Sequence, residues 1–282
     1  MKKIGFFALA AMVLTACSQD ESESVFNDGT VLNQKEVTLT FSPYEVSAMT
    51  RTATSISNYC THLDVWITDG VTTTDLHQSS TDANFGTVTA TLNNTATYTL
   101  YAVAHKCTSD ASMSGGIISF PDDKVTHSMF YTTTFSPATT TSLNCEMQRI
   151  VAQFRLETTD AVPDECKKVR ITIDGVYDRW NVTTGGTHQL NRVSTVNISS
   201  TATDGTVVFN VFAIVTDEST NHNVTVEALD ANDAAVQTPR VFANVPLRIG
   251  YKTTYRGALF TDASMSMSFT CDDWSEYDTV NF

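Results

Sequence analysis

The chain has 282 residues, of which 17% are charged and 41% are hydrophobic, and it carries 31 acidic against 17 basic residues. Its formal net charge of −14 makes nucleic acid and anionic lipid headgroups poor partners, because an acidic surface repels both. Thr, Val, Tyr and Phe are abundant, and no long segment keeps a 3.6-residue apolar period. The composition therefore predicts an all-β protein with no nucleic-acid partner.

Residues 1–16 have the pattern of a lipoprotein signal peptide. A short positive start at Lys2 and Lys3 precedes an apolar segment, residues 4–13, that is too short to span a bilayer. Leu14-Thr15-Ala16-Cys17 is then a lipobox, in which small residues precede the cut and the thiol receives the lipid. We expect cleavage before Cys17 and an outer-membrane anchor through acyl chains on that thiol. The alternative is a general secretory signal beside an incidental cysteine.

The segment 17–35 is acidic, rich in Ser and nearly free of apolar residues. Such a segment cannot bury enough surface to fold, so it is interpreted as a solvated tether between the lipid and the first domain. Removing residues 1–16 takes away two Lys and leaves 15 basic against 31 acidic residues, a net charge of −16. An acidic stretch directly behind the lipidated cysteine also resembles the surface-export signal of Bacteroidales lipoproteins, which predicts a surface-exposed protein.

Residues 36–142 contain short segments of alternating apolar residues, separated by turn residues such as Asp69-Gly70 and Gly115-Gly116. In His62-Leu63-Asp64-Val65-Trp66-Ile67, the apolar Leu63, Val65 and Ile67 share one strand face, and His62, Asp64 and Trp66 lie on the other. The remaining candidate strands of this half are Val37–Phe41, Val88–Leu92, Tyr98–Ala104 and Phe130–Thr134. This half is predicted to form one β-sandwich.

Ser136–Ser142 has the composition of a linker, and alternation restarts in residues 143–282. The candidate strands of this half are Ile150–Leu156, Val169–Ile173, Val207–Val215, Val224–Ala228, Tyr255–Leu259 and Met265–Phe269. The sequence therefore predicts two consecutive β-sandwich domains, 36–142 and 143–282.

Five cysteines remain once Cys17 is acylated, and none has the spacing of a zinc site, so no metal is expected. Cys60 begins one predicted strand and Cys107 follows the end of another. If these strands are antiparallel neighbours, their ends meet and a Cys60–Cys107 disulfide becomes geometrically feasible. An odd cysteine count leaves at least one thiol outside any intramolecular pair.

Several segments carry a resemblance to the fimbrillin-like lipoproteins of Bacteroidales, the group that contains major fimbrillins and minor-fimbria anchor subunits. The resemblance covers most of the mature chain as a pattern of strands and turns, without a rigid catalytic signature. The segments that carry it are His62–Ile67, Tyr98–Ala104, Met147–Phe154, Val169–Gly175 and Val245–Phe260.

The resemblance implies two transthyretin-like β-sandwich domains and a role in a surface pilus of type V or in adhesion to a host or bacterial ligand. In that family, subunits polymerise by donor-strand exchange after a protease cuts behind an arginine and frees the first strand. Arg51 lies between the Val37–Phe41 strand and the Leu63–Ile67 strand, about where such a cut would fall. The alternative is an ordinary arginine in a surface loop.

Other candidate sites have simpler interpretations. No nucleophile elbow, phosphate loop or metalloprotease helix is present, and the six His are scattered, so neither an enzyme nor a cofactor is predicted. Asp230-Ala231-Asn232-Asp233 is interpreted as a hairpin turn and Asp272-Asp273 as a turn after the last strand. A glycan-binding lipoprotein of a polysaccharide-uptake system is the main functional alternative, and it would need exposed aromatic side chains.

Overall fold

The computed structural model describes residues 33–44, 55–198, 207–216, 220–261 and 268–273. Lys35 is part of the first strand, and residues 1–32, with Cys17 and most of the predicted tether, lie outside the described residues. The described part contains seventeen strands and two single-turn 3-10 helices, at Ile56–Asn58 and Pro121–Asp123. The all-β prediction is confirmed. Within the described ranges, no helix has the length and apolar character needed to cross a membrane.

The first nine strands alternate with turns along the first half of the chain. Strands β1 to β5 are Gln34–Pro43, His62–Thr68, Thr73–Ser79, Thr87–Asn93 and Tyr98–His105. Strands β6 to β9 are Ser112–Ser114, Ile117–Ser119, Ser128–Phe135 and Ser142–Arg149.

The second half contributes eight strands. Strands β10 to β13 are Ala152–Thr158, Lys168–Asn181, Gly185–Asn197 and Val208–Ala213. Strands β14 to β17 are Thr220–Leu229, Arg240–Leu247, Tyr251–Gly257 and Ser268–Asp273.

The first sandwich is built from one path of hydrogen-bonded strands in the order β3-β2-β5-β8-β9-β1-β4. β8 and β9 pair at only two positions, Met129↔Arg149 and Phe130↔Gln148, so the path turns there. Side chains from both sides of the turn, such as Leu39 in β1 and Leu100 in β5, share one buried cluster. The turn therefore places two layers face to face around a common core.

The second sandwich packs the sheet β13-β10-β16-β17 against the strands β15-β14-β11, with β12 paired to β11. Phe154 and Val211 from the first sheet and Ile171 and Val224 from the second belong to one buried cluster. Both strand patterns that the sequence predicts here, Ile150–Leu156 and Val169–Ile173, therefore supply core faces.

A third buried cluster joins the two sandwiches. Trp66 and Phe130, on the outer face of the first sandwich, share it with Ile118 in β7 and with Phe212 and Ile214 from the second half. The β6–β7 hairpin adds to the sheet of the second sandwich, because β7 pairs with β11 from Arg179↔Ser119 to Asn181↔Ile117. All these strands belong to one compact unit that begins at Gln34.

The boundary between predicted domains at residues 142 and 143 stays a prediction. The strand that starts there, β9, pairs with β1 and β8, so that Cys145 and Met147 lie in the core of the first sandwich. Residues up to Arg149 therefore contribute to the first sandwich.

Candidate functional site

The first strand, β1, lies inside a sheet and not at its edge. On one side it pairs with β4 in antiparallel register, from Gln34↔Asn93 to Thr40↔Thr87. On the other side it pairs with β9 in parallel register, from Thr38↔Ser142 to Pro43↔Met147. Residues Thr38–Thr40 are thus paired on both sides, and the strand fills the gap between β4 and β9, which we call the β1 groove.

Alternate side chains of β1 are buried in the first core. Val37 and Leu39 are 0% exposed and Phe41 is 4% exposed, which confirms the predicted apolar face. Burying one such side chain contributes about 1.5–3 kcal/mol, so the three together hold β1 firmly in the groove. Thr40, on the other face, is exposed.

A glycine at the end of the groove allows the chains to approach closely. The Phe41 N–H donates to the carbonyl of Gly86 (2.8 Å), and Gly86 has a φ of 93°. A Cβ at this position would lie 2.9 Å from Ile56 Cγ2, so a larger residue would strain the backbone and press on Ile56.

The described part of β1 ends just before the predicted cleavage site. Tyr44 donates its N–H to the carbonyl of Met147 (2.8 Å) and is 48% exposed. Arg51 and Cys17 both lie outside the described residues, so cleavage and lipidation at these positions stay predictions. In chain order, Arg51 follows β1 and precedes the 3-10 helix at Ile56–Asn58.

The predicted disulfide partners lie at adjoining strand ends. β2 and β5 are antiparallel neighbours in which His62 pairs with His105, so the ends next to Cys60 and Cys107 do meet. Both cysteines are buried free thiols in this structure. The Cys60 Sγ lies 3.8 Å from His127 Nδ1, and the Cys107 Sγ donates to the carbonyl of Lys124 (3.3 Å). The Cys60–Cys107 disulfide stays a prediction.

A second polar arrangement lies on β2, where the sequence analysis predicted no ligand role for histidine. Asp64 is 0% exposed, although it sits between apolar neighbours in the strand. Its Oδ1 lies 2.6 Å from His77 Nδ1, and its Oδ2 lies 2.7 Å from His105 Nε2 and accepts the Ala111 N–H at 3.0 Å. Asp110 lies beside this arrangement, with a carboxylate oxygen within 4.8 Å of the Asp64 and His77 side chains' ligand atoms.

The tautomer of His105 follows from its second nitrogen. The backbone N–H of Cys107 donates to His105 Nδ1 (3.2 Å), so Nε2 carries the proton that is donated to Asp64. The signal in the sequence was the acidic residue on the second face of an otherwise apolar strand. The sequence could not show that Asp64 in β2 contacts His77 in β3 and His105 in β5.

A third polar group is buried between the sandwiches. His127 Nε2 accepts a hydrogen bond from Arg149 Nε (3.4 Å), and the His127 ring lies 6.2 Å from the Phe212 ring. Burial, followed by the positive charges of Arg149 and Lys106, lowers the pKa of His127 to about 3. The ring is therefore neutral in the folded protein.

The remaining sites from the sequence analysis have structural roles. Asp230 Oδ1 accepts the N–H groups of Asn232 and Ala234, which confirms a turn after β14. The prediction of a turn at Asp272-Asp273 is wrong, because both residues are paired with β16 as the end of β17. The strand ends four residues later than predicted, since the charged Asp272 and Asp273 broke the apolar pattern while their backbone could still pair with β16.

Two of the three tryptophans belong to the cluster between the sandwiches. Trp66 is 2% exposed, and the Trp180 ring lies 5.8 Å from the Phe130 ring. Trp66 thus packs in the interface between the sandwiches, and Trp180 lies in β11. Trp274 lies outside the described residues.

Solved structures share this architecture. A Bacteroides ovatus protein named as a candidate adhesin is 12% identical, with 84% of this chain and 96% of that chain covered and a TM-score of 0.51. A Bacteroides thetaiotaomicron protein named as a candidate polysaccharide-binding protein is 8% identical, with 85% and 96% covered and a TM-score of 0.51. At these identities the likeness shows a common fold, as the resemblance to Bacteroidales surface proteins predicted.

The fimbrial anchor protein Mfa2 from Porphyromonas gingivalis also matches, at 9% identity, with 86% of this chain and 98% of that chain covered. Its TM-score of 0.45 is too low to support an inference. No protein of curated function matches the chain. Residues 122–278, more than half of the chain, match the family of unknown function DUF6562, and the protein therefore belongs to that family.

Proposed function

We propose that the protein is a non-enzymatic, lipid-anchored surface subunit of an adhesive fimbria, which assembles with other subunits by β-strand addition. The observation that carries the proposal is the position of β1, which fills the gap between β4 and β9 with three buried side chains. The name of the Bacteroides ovatus adhesin supports the same role.

The chemistry of assembly follows from what β1 covers. Without β1, the facing edges of β4 and β9 would present unpaired N–H and C=O groups next to an open apolar core. An incoming strand would satisfy them if it carried apolar side chains at alternate positions, as β1 does at Val37, Leu39 and Phe41. The groove therefore fits a strand whose side chains are apolar at every second position.

Arg51 determines which kind of subunit this would be. A cut behind Arg51 would leave β1 and the lipidated Cys17 on one fragment, held to the rest only by non-covalent contacts. Loss of that fragment would open the groove and yield a polymerising shaft subunit. An uncut chain would stay on the outer membrane and act as an anchor or accessory subunit.

Mass spectrometry of the protein recovered from cells tests both predictions at once. An N-terminus at Thr52 indicates a processed shaft subunit, and an acylated Cys17 on a chain that is uncut behind Arg51 indicates a retained anchor. The variant Arg51→Ala should abolish only the first product, and Cys17→Ala only the second. A soluble chain that keeps residues 17–51 without acyl groups contradicts the lipid anchor.

The glycan-binding alternative has one observation in its favour, the name of the Bacteroides thetaiotaomicron structure. It requires exposed aromatic faces on which sugar rings stack. Trp66 is buried, and Trp180 packs against Phe130. Affinity gels with surface polysaccharides distinguish the two functions. Retardation of the protein by a glycan, while β1 stays paired with β4 and β9, would favour the glycan-binding alternative.

A further inference from the structure

We propose that Asp64, His77 and Asp110 form a binding site for a transition-metal dication, with zinc as the ion that fits the donor set. Ligand atoms of these three side chains all lie within 4.8 Å of one another. Among the residues that the structure describes, this is the one group of three His, Cys, Asp or Glu side chains that meets this condition. The metal site does not depend on strand addition.

The three ligands come from separate elements that the fold brings to one place. Asp64 lies in β2 and His77 in β3, where the two residues are cross-strand partners. Asp110 lies in the connection between β5 and β6, which is tied down because the next residue, Ala111, donates its N–H to Asp64 Oδ2. The same hydrogen bond thus fixes both a ligand and the segment that carries another.

The buried carboxylate of Asp64 is already oriented for a ligand role. His105 Nε2–H and the Ala111 N–H occupy Oδ2, which leaves Oδ1 directed toward His77. Holding the second oxygen of a carboxylate in this way is the usual supporting contact around protein-bound metals. Two carboxylates within this distance of each other also repel, and a dication between them would offset that repulsion.

The distances require only small side-chain movements. Zinc binds nitrogen and carboxylate oxygen at about 2.0–2.2 Å, so that two ligand atoms of one tetrahedral ion lie about 3.3 Å apart. The 2.6 Å separation between Asp64 Oδ1 and His77 Nδ1 must widen, and the Asp110 carboxylate lies within 4.8 Å of both ligand atoms. His77 is 38% exposed in its side chain and Asp110 is exposed, so both can rotate.

The ion takes the place of the hydrogen bond between His77 and Asp64. Binding of the ion through His77 Nδ1 requires that the proton donated to Asp64 leaves Nδ1, so that the bound imidazole carries its proton on Nε2. Three protein ligands leave a fourth position of a tetrahedral ion for water. An imidazole ligand selects zinc, cobalt or nickel over calcium, which takes oxygen ligands.

The matched control for this site is a second aspartate–histidine pair. His188 Nδ1 lies 2.7 Å from Asp178 Oδ1, with the histidine side chain 54% exposed and the aspartate 2% exposed. This pair repeats the His77–Asp64 contact on another sandwich, but no third ligand joins it among the described residues. His188→Gln therefore removes an equivalent hydrogen bond without removing the proposed site.

The test is a titration of the full chain with zinc chloride by calorimetry, together with metal analysis after dialysis. We expect one ion per chain, an affinity at least about tenfold weaker in both His77→Gln and Asp110→Asn, and no change in His188→Gln. Excess calcium should not displace the zinc. Cobalt, used as a spectroscopic probe, should give the absorption of a tetrahedral site in the wild type and in His188→Gln, but not in His77→Gln or Asp110→Asn.

Three results would overturn the proposal. They are no bound ion, binding that survives in both ligand variants, and binding lost in one of them only. Thermal unfolding of the metal-free variants checks that each one folds. The midpoint of Asp110→Asn should remain near that of the wild type because Asp110 is exposed, and His77→Gln should lose about as much as His188→Gln, which gives up an equivalent hydrogen bond to a buried aspartate.

Discussion

Asp64 and His105 are both completely buried, and the Asp64 Oδ2 atom lies 2.7 Å from His105 Nε2. Asp64 also receives the Ala111 N–H and contacts His77, so a single carboxylate gathers three elements of the first sandwich. A buried carboxylate is costly unless its oxygens are hydrogen-bonded, and here both oxygens have partners.

Replacing Asp64 by Asn should therefore destabilise the first sandwich. The Asn amide has only one acceptor oxygen. Its NH₂ group would face N–H groups that donate hydrogen bonds to the carboxylate in the wild type. We expect a loss of about 3 kcal/mol in the free energy of unfolding, measured by urea denaturation. Asp75→Asn, at an exposed position of β3, is the control and should stay within about 0.5 kcal/mol of the wild type.

Truncating Leu39 tests how firmly β1 is seated in its groove. The side chain is 0% exposed, so Leu39→Ala removes apolar contacts and leaves a cavity. The free energy of unfolding should fall by about 2–5 kcal/mol in urea titrations of the intact chain. Thr40→Ala changes the exposed face of the same strand and should have little effect, and an equal loss in both variants would contradict the described face assignment.

His127 makes stability depend on pH in the acid range. Its pKa is about 3 in the folded protein and about 6.5 in an unfolded chain, so below about pH 6.5 the unfolded state binds a proton that the folded state does not. Stability is then lost as pH falls from about 6.5 toward 3, by about 2 kcal/mol between pH 6.5 and 5.

His127→Gln keeps an acceptor for Arg149 and removes the titrating group. Urea titrations at pH 7 and 5 should show that the wild type loses about 2 kcal/mol more than the variant between these values. Parallel losses in the two proteins would mean that other groups account for the acid sensitivity.

Thiol reactivity should follow burial. Burial raises the pKa of the Cys60 thiol and raises the pKa of Cys145 to about 12, whereas Cys271 is exposed. Labelling of the folded protein with iodoacetamide should therefore modify Cys271 first and reach Cys60 and Cys145 only after unfolding. A non-reducing peptide map of the same sample tests the predicted disulfide, and the absence of a Cys60–Cys107 peptide would remove it.

Several strands could not be found from the sequence. β12 was missed because neither of its faces is fully buried. Gln189, Asn191 and Thr195 lie on its exposed face, and its other face is only partly covered, so the strand lacks a regular apolar alternation. The β6–β7 hairpin was missed because strands of three residues have no measurable period. β3 was missed for a related reason, since its side chains are largely exposed.

What the sequence determined was local. Alternation at Val37, Leu39 and Phe41 established an apolar face of β1. In β2, Asp64 and Trp66 were assigned to the face opposite its apolar Leu, Val and Ile side chains. Only the tertiary structure decided what each face meets. Trp66 enters the cluster between the sandwiches, Asp64 meets histidines that lie 13 and 41 positions away in the chain, and β1 inserts between β4 and β9. The physical reason is that side-chain periodicity follows from the backbone of one strand, whereas pairing depends on contacts between segments that are distant in the chain.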